Sequence, residues 1–184
     1  INGLTNTSHP CQIMADIMTL QEVFASLNKI NVSWIGDGNN VCNSWMESCK
    51  HFNFNLTICT PTRFKPDMRI FEDIKKLGKN ITYHNDPKKA AKDANVVVTD
   101  TWLSMGSKVT ESREEIFSKF QINRSLMKLT NSKSYFMHCM PAHRGKEVTN
   151  EVIDGKKSLV FQEAYNRLHV QKAILLWCLK KEFS

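Results

Sequence analysis

Apolar residues alternate along the chain between two patterns, short β-branched runs and longer segments of helical period. The helical pattern is clearest near the beginning, where apolar residues recur at steps of three and four and therefore share one helix face. These residues are Ile13, Ile17, Leu20, Phe24 and Leu27. Ser8 is the expected N-cap of this helix, with Pro10 in its first turn.

Six short runs rich in β-branched and aromatic residues are predicted as strands. They are residues 32–35, 56–59, 81–83, 96–99, 134–137 and 159–161. Helices are predicted between them, at residues 41–52, 68–77, 87–94, 114–120, 148–153 and 163–181. This alternation predicts an α/β fold: a three-layer αβα sandwich around a mainly parallel, doubly wound, Rossmann-like sheet, with a long C-terminal helix.

The chain of 184 residues has the size of one ordinary domain. We expect residues 1–28 to form a linker helix, residues 29–162 the sheet domain and residues 163–184 the last helix. The last helix has apolar residues on two neighbouring sides, a surface that a partner domain or subunit should cover. The chain begins with isoleucine and without the pattern of a signal peptide, as expected for a fragment of a longer protein.

Composition excludes several classes of protein. Apolar residues make up 41% and charged residues 23%, which argues against disorder, and no apolar run is long enough to span a membrane. Six cysteines without a Cys-x-x-Cys pair predict a soluble protein of a reducing compartment, the cytoplasm or an organelle matrix. The net charge of +7 admits nucleic acid, but the scattered basic residues favour a solvated surface, which also suits a phosphate-bearing substrate.

Three polar loops directly follow predicted strands, at residues 36–40, 100–106 and 138–141. Because the carboxyl ends of parallel strands meet at one edge of a sheet, we expect these loops to converge on one site. The first loop has two glycines of a dinucleotide motif but Val41 in place of the third, which disfavours a dinucleotide. The alternatives are a tight turn with Asn40 as helix cap, or asparagines that bind an amino-acid ligand.

The other two loops offer a carboxylate and a thiol. Asp100 alone is typical of a turn or cap, but beside Ser104 it predicts binding of an ammonium group. Cys139 suits a nucleophile, although a buried free thiol is the simpler interpretation. With His143 it would supply only two zinc ligands at an irregular spacing, so no metal site is predicted.

Five runs resemble those of ornithine carbamoyltransferases in order and approximate spacing, and the resemblance extends over essentially the whole chain. They are His-Pro-Cys-Gln at residues 9–12, Trp-Ile-Gly-Asp-Gly-Asn-Asn at 34–40, Asp-Thr-Trp-Leu-Ser-Met-Gly at 100–106, His-Cys-Met-Pro-Ala-His-Arg-Gly at 138–145 and Asn-Arg-Leu-His at 166–169. The Ser-Met-Gly loop separates the ornithine enzymes from aspartate carbamoyltransferases, which share the fold.

The resemblance implies a site for carbamoyl phosphate. His9 would contact the carbonyl oxygen of the carbamoyl group and Gln12 its amide nitrogen. Arg167 would hold the same carbonyl oxygen, where charge accumulates in a tetrahedral intermediate. Cys139 and Met140 would lie between the two substrates, with the bond from Met140 to the following proline in the cis form.

The resemblance also implies the second substrate and the reaction. Asn40, Asp100, Ser104 and Met105 would bind the α-amino and α-carboxylate groups of L-ornithine. Its δ-amine would attack carbamoyl phosphate and give L-citrulline and phosphate, with no metal or redox cofactor. The amine must first lose a proton, and both Asp100 and Cys139 are candidates to assist. The residues expected to take part in catalysis are thus Cys139, Asp100, Arg167 and His9.

Two departures from the family pattern limit these expectations. Tyr165 stands where the family has glutamate, and the Ser-x-Arg-Thr-Arg run that binds phosphate is absent from these residues. The chain therefore resembles the ornithine-binding half of an enzyme that is a trimer or a multiple of trimers, and we expect no turnover without the carbamoyl-phosphate domain. The alternatives are a catalytically inert amino-acid-binding module and a transcarbamylase for another amine, such as putrescine.

Overall fold

The fold is taken from a computed structural model that describes residues 1–102 and 111–179, without the side chains of residues 111 and 112. Two of the expected ornithine ligands, Ser104 and Met105, lie outside the described residues.

Within the described ranges, five parallel strands form one sheet in the order β3-β2-β1-β4-β5. The strands are β1 (Asn31–Ile35), β2 (Asn55–Cys59), β3 (Ile81–His84), β4 (Val96–Thr99) and β5 (Tyr135–His138). The chain builds the sheet outward from β1 to β3 and then crosses to the other side of β1 for β4 and β5. The prediction of a doubly wound parallel sheet is confirmed.

Helices connect the strands and cover the sheet. They are α1 (Pro10–Val23), α2 (Asn40–Ser48), α3 (Met68–Lys76), α4 (Pro87–Ala91), α5 (Glu111–Ser118), α6 (Arg124–Met127), α7 (Asn150–Ile153) and α8 (Val160–Cys178). Asp67 and Asp86 accept hydrogen bonds from backbone N–H groups at the starts of α3 and α4, which explains where these helices begin.

The core consists of two apolar clusters. One contains Trp34, Trp45 and Leu20, and the other contains Phe136 and Ile122. All of these side chains are fully buried. Two clusters rather than one explain why the β4 segment reads as an uninterrupted apolar run, since both sides of a parallel strand are covered.

Two details of the predicted elements are wrong. The residue at the N-cap of α1 is His9 rather than Ser8, and its side chain makes no capping hydrogen bond. Residues 159–161 are not a strand, because Val160 already begins α8 and only Ser158 forms an isolated parallel bridge, with Phe136. A run of three apolar residues fits a buried helix start as well as a strand.

The last helix, α8, packs along α1 on one side and is exposed on the other. The exposed side carries large apolar residues: Phe161, Tyr165, Leu168 and Leu175. Trp177, near the end of α8, is also exposed. Tyr165 contacts the ring of His169, with centroids 4.6 Å apart, so the tyrosine points away from the polar residues of the α1 side. Over the part of the chain that is described, no helix combines the length and the apolar character needed to cross a membrane.

Candidate active site

The loops after β1 and β4 lie at the point where the strand order reverses. Thr99 Oγ1 donates to the Ile35 carbonyl at 2.6 Å and ties the two strand ends together. Gly36 has a φ of +152°, and a side chain on Gly38 would lie 2.2 Å from the backbone nitrogen of Pro66. Gly36 therefore serves a tight turn, in agreement with the tight-turn interpretation of this loop, whereas Gly38 is needed for a close backbone approach that this interpretation did not include.

Asn39 connects the first loop to Asp100. Its side-chain oxygen accepts from the N–H groups of Val41 and Cys42, so Asn39 is the N-cap of α2. Its amide nitrogen donates to Asp100 Oδ2 at 2.6 Å. The prediction that Asn40 caps this helix is wrong. Because two asparagines are adjacent, the sequence alone does not show which of them is the cap. Asn40 instead donates to the backbone carbonyl of Thr5 at 2.7 Å, and its role toward ornithine stays a prediction.

Cys139 follows β5 and contacts the same carboxyl group. Its Sγ donates to Asp100 Oδ1 at 2.9 Å. Burial, and next the charge of Asp100, raise the pKa of Cys139 well above its ordinary value. The thiol therefore stays protonated at neutral pH, which disfavours the interpretation of Cys139 as a nucleophile.

The residues beside Cys139 are held by their own backbone. His138 is fully buried, and its Nδ1 accepts from the N–H of Met140 at 2.9 Å. The bond from Met140 to Pro141 is cis, as the family resemblance implied. His143 Nδ1 lies 3.1 Å from Thr101 Oγ1, so the segment that follows the third polar loop also contacts the residue after Asp100.

Asp100, His138 and Cys139 place possible metal-ligand atoms within 4.8 Å of one another. The thiol donates to Asp100, and the Nδ1 lone pair of His138 accepts from a backbone N–H. A metal ion would have to displace both hydrogen bonds and remove the thiol proton. The arrangement is better described as a hydrogen-bonded cluster than as a metal centre.

An ion pair lies beside Trp102, in the described residues directly after β4. Arg113 on α5 contacts Asp37 Oδ2 at 2.5 Å and donates to the carbonyl of Trp102 at 2.6 Å. Its guanidinium lies over the ring of Phe64, 4.3 Å from the centroid. Burial raises the pKa of Asp37 to about 6, against the opposing effect of Arg113. Sequence reasoning missed this pair, since its residues lie on different elements without a shared motif.

Arg167, Gln12 and His9 form a second cluster between α8 and α1. Arg167 Nη1 donates to Gln12 Oε1 in a close contact, and Nη2 donates to His9 Nε2 at 3.1 Å. Burial, and next the charge of Arg167, lower the pKa of His9. The imidazole is therefore neutral, with Nε2 as acceptor. The structure brings together the three residues for which the resemblance implied contacts with the carbamoyl group.

Further polar groups, which sequence reasoning missed, hold this second cluster. The backbone N–H of His9 donates to Ser44 Oγ at 2.7 Å. Gln12 Nε2 donates to Asp16 Oδ1 at 2.7 Å and to Glu163 Oε1 at 2.9 Å. The spacing of Gln12 and Asp16, one helical turn apart beside an apolar face, was the available signal.

The two clusters are close enough to influence each other electrostatically. Burial and Arg167 have the largest effects on the pKa of His9, and the charge of Asp100, from the other cluster, raises it. Burial and Asp100 have the largest effects on the pKa of Cys139, and the charge of Glu163, beside the second cluster, raises it further. A surface cavity of about 790 Å³ lies elsewhere, lined by Lys119, Phe120 and other residues of α4 to α6, and contains none of these groups.

Together, the fold and the position of the clusters define a doubly wound α/β domain with a polar ligand site outside the carboxyl ends of its strands. Residues 28–178 match the family model described as aspartate/ornithine carbamoyltransferase, Asp/Orn binding domain. The chain belongs to this family.

Individual relatives agree with this assignment. The chain is 50% identical to the ornithine carbamoyltransferase of Nitrobacter winogradskyi over 97% of its own length and 58% of that protein. Its fold is similar to the crystal structure of the Thermus thermophilus ornithine carbamoyltransferase, with a TM-score of 0.88, 41% identity and coverage of 97% and 58%. It is also similar to the structure of the ornithine transcarbamoylase of Giardia lamblia, with a TM-score of 0.91 and 33% identity, and the match covers 99% of this chain and 63% of the Giardia chain. The chain thus spans about three fifths of the length of these relatives.

Proposed function

We propose that the full-length protein transfers the carbamoyl group of carbamoyl phosphate to the δ-amine of L-ornithine and forms L-citrulline and phosphate. The observation that carries this proposal is the contact of Arg167 with both Gln12 and His9, next to the cluster of Asp100 and Cys139. Groups suited to a carbamoyl donor and to an amine acceptor thereby lie side by side. The names of the relatives support the same reaction.

On the carbamoyl side, charge develops on the carbonyl oxygen when the amine attacks. Arg167 supplies a fixed positive charge there, and its contacts with Gln12 and His9 restrict how the guanidinium can turn. Because the groups are oriented before the substrate binds, little reorganisation accompanies the reaction. His9, Gln12 and Met140 complete the proposed contacts with carbamoyl phosphate.

On the ornithine side, Asp100 is the better candidate for assisting amine deprotonation. The thiol of Cys139 keeps its proton because burial and Asp100 raise its pKa, so it is a poor proton acceptor at neutral pH. Asp100 already accepts hydrogen bonds from Asn39 and Cys139, and an ammonium donor can replace either of them. Asn40, Ser104 and Met105 remain the proposed partners of the α-amino and α-carboxylate groups.

The remaining part of the protein is proposed to supply the phosphate ligands. The chain spans 58% of its Nitrobacter relative and lacks the Ser-x-Arg-Thr-Arg run. The exposed apolar side of α8 offers a surface on which that carbamoyl-phosphate domain would pack. We further propose a homotrimer or a multiple of trimers, located in the cytoplasm or an organelle matrix and acting in arginine biosynthesis or the urea cycle. Sedimentation of the full-length protein tests the oligomer.

Citrulline formation by the full-length protein tests the reaction. We expect turnover with carbamoyl phosphate and L-ornithine, and little with L-aspartate or putrescine as acceptor. The 184-residue chain alone is expected to give no turnover. Ornithine binding in calorimetry without citrulline formation by the full-length protein would instead indicate an inert binding module, and a preference for putrescine would overturn the choice of substrate.

A further inference from the structure

Two acids are buried directly beneath the carbamoyl side of the site. Asp16 on α1 and Glu163 on α8 are each only 1% exposed, as is Gln12, which bonds to both. Neither acid belongs to the residues proposed above to touch a substrate. Buried acids outside the reacting groups need a physical reason, because an unpaired buried charge costs several kcal/mol.

The two acids determine which way the side-chain amide of Gln12 points. Both hydrogens of Gln12 Nε2 are used, one toward Asp16 Oδ1 and one toward Glu163 Oε1. The amide oxygen consequently faces Arg167 and accepts from its Nη1. A flipped amide would place its oxygen against two carboxyl oxygens and its hydrogens against a guanidinium, so one orientation is enforced.

The same pair also reaches the end of β5. Glu163 Oε2 accepts from the backbone N–H of His138 at 3.0 Å, one residue before Cys139. Glu163 therefore contacts both sides of the site, Gln12 through one oxygen and the β5 end through the other. Asp16, in contrast, accepts an N–H only at Oδ1, its Oδ2 is buried without such a donor among the described residues, and the two carboxyls bond to each other.

Charge balance requires a proton in this pair. The titratable and charged groups around it are Arg167 and His9 from the helices, Asp100 from the end of β4, and Cys139 with His138 from the end of β5. Of these, Arg167 is the cation, since burial keeps His9 neutral. Burial, and next the neighbouring Asp16, raise the pKa of Glu163, and burial also raises that of Asp16. At neutral pH the pair accordingly holds a proton.

Hydrogen bonding locates this proton on Asp16. The larger upward shift of pKa falls on Glu163, yet both Glu163 oxygens accept from N–H donors, and protonating either oxygen would weaken the hydrogen bond that it accepts. Asp16 Oδ2 faces no such donor, so it is free to carry the proton and to donate to the neighbouring carboxyl.

We infer that Asp16, protonated, and Glu163, ionised, act as a positioning pair that locks the Gln12 amide so that Gln12 and Arg167 together fit the carbamoyl group. This inference rests on the proposed function and adds two residues to it. Neither acid touches a substrate. Their effect on the reaction is exerted through Gln12, and through His138 on the strand end that carries Cys139.

Substitutions in the full-length enzyme test this role. Glu163→Gln turns one acceptor into a donor against Gln12 or His138, and we expect the KM for carbamoyl phosphate to rise about tenfold or more, with a smaller change in the KM for ornithine. Asp16→Ala is expected to raise the same KM. Asp16→Asn should rescue it, because an amide reproduces the acceptor and the donor of a protonated carboxyl. For wild type, the same KM should rise at alkaline pH, where Asp16 loses its proton.

A matched control is Glu22→Gln. Glu22 joins the same two helices, accepting from Gln162 at 2.9 Å and Asn166 at 2.8 Å, but is exposed and does not contact Gln12. An equal rise in KM for this variant would reduce the pair to ordinary helix packing and overturn the inference. The inference would also be overturned if Glu163→Gln left the KM for carbamoyl phosphate unchanged while Asp16→Asn raised it, since that result would put the proton on Glu163.

Infrared spectroscopy gives a readout that does not depend on activity or on folding of the Glu163 variant. We expect a carboxylic acid C=O band from the wild-type protein at neutral pH that is absent from Asp16→Asn and retained in Glu22→Gln. Absence of the band from wild type would overturn the shared proton. A wild-type protein with the band but without citrulline formation would leave the pair in place and overturn the proposed reaction instead.

Discussion

The two sides of the proposed site, the carbamoyl side assigned to the carbamoyl group and the ornithine side assigned to ornithine, are built in different ways. On the carbamoyl side, Arg167, Gln12 and His9 are fixed by one another and by buried acids between two packed helices. On the ornithine side, Asp100 takes its partners from loops, Asn39 after β1 and Cys139 after β5. The first arrangement suits a group that must be held still while charge develops, and the second suits a ligand that displaces existing hydrogen bonds as it binds.

Removing the guanidinium tests the rigid side and should have the largest effect. Arg167→Ala in the full-length enzyme is expected to lower kcat/KM about 1,000-fold, because loss of a preorganised donor to a developing oxyanion costs about 10²–10³ in rate and loss of its full charge adds to this. Steady-state kinetics measure the effect. Arg144→Ala is the control, since Arg144 pairs with Asp154 at the surface and should leave kcat/KM close to wild type.

The ornithine side depends on the ion pair beside Trp102. In Arg113→Met an apolar side chain replaces the guanidinium that lies over Phe64, and Asp37 keeps a buried carboxyl without its cation. We expect the free energy of unfolding to fall by about 3 kcal/mol, as when one partner of a buried pair is removed. Urea denaturation of the 184-residue chain measures it. The control is Arg69→Met, because Arg69 pairs with Asp67 at the surface. An equal fall in the free energy of unfolding for this variant would mean that the pair of Arg113 and Asp37 has no special role.

A smaller and more selective effect is expected at Asp100. Asp100→Asn keeps the shape but places an amide against the donors of Asn39 and Cys139, and it removes the proposed proton acceptor. We expect kcat/KM for ornithine to fall about 100-fold, while the KM for carbamoyl phosphate stays within about threefold. Kinetics with each substrate varied in turn measure both. Equal losses for the two substrates would contradict the separation of the two sides.

The smallest effect concerns the reactivity of the thiol. Because burial and Asp100 raise the pKa of Cys139, its thiolate fraction is low at neutral pH and increases only as the solution becomes alkaline. Iodoacetamide should therefore label Cys139 about tenfold more slowly at pH 7 than the exposed Cys178 in the same chain. Mass spectrometry of timed samples measures both rates. Faster labelling of Cys139 than of Cys178 at pH 7 would mean that the thiol is ionised.

The same contrast explains what could be predicted from the sequence. The parallel sheet followed from β-branched runs separated by helical periods, and the wrong strand at residues 159–161 came from a run too short to distinguish a strand from the start of α8. α6 went unpredicted because four residues show no period, although Asn123 was a cap signal. Local patterns fix elements, and they carry little information about an element that is only about one helical turn long.

For the site, resemblance identified the groups expected to touch substrates but not the groups behind them. Asp16, Asn39 and Arg113 each also contact a residue far along the chain, as Arg113 does with Asp37 at a separation of 76 positions. A lone aspartate in α1 or a lone arginine in α5 has no local feature that shows which distant residue it will contact. A helical period can be identified from the sequence, whereas a pair of residues that are distant along the chain can be identified only from the folded structure.

The packing of α1 against α8 has a consequence for how the site is assembled. The contacts of Arg167 with Gln12 and His9 close loops of 155 and 158 residues. Contacts between residues so distant in sequence form slowly. We expect most of the sheet to be in place before they form. During synthesis the strands can pair while α8 is still inside the ribosome, but the carbamoyl side cannot exist until that helix emerges and docks. Assembly of this half of the site is therefore among the last events in the folding of the chain.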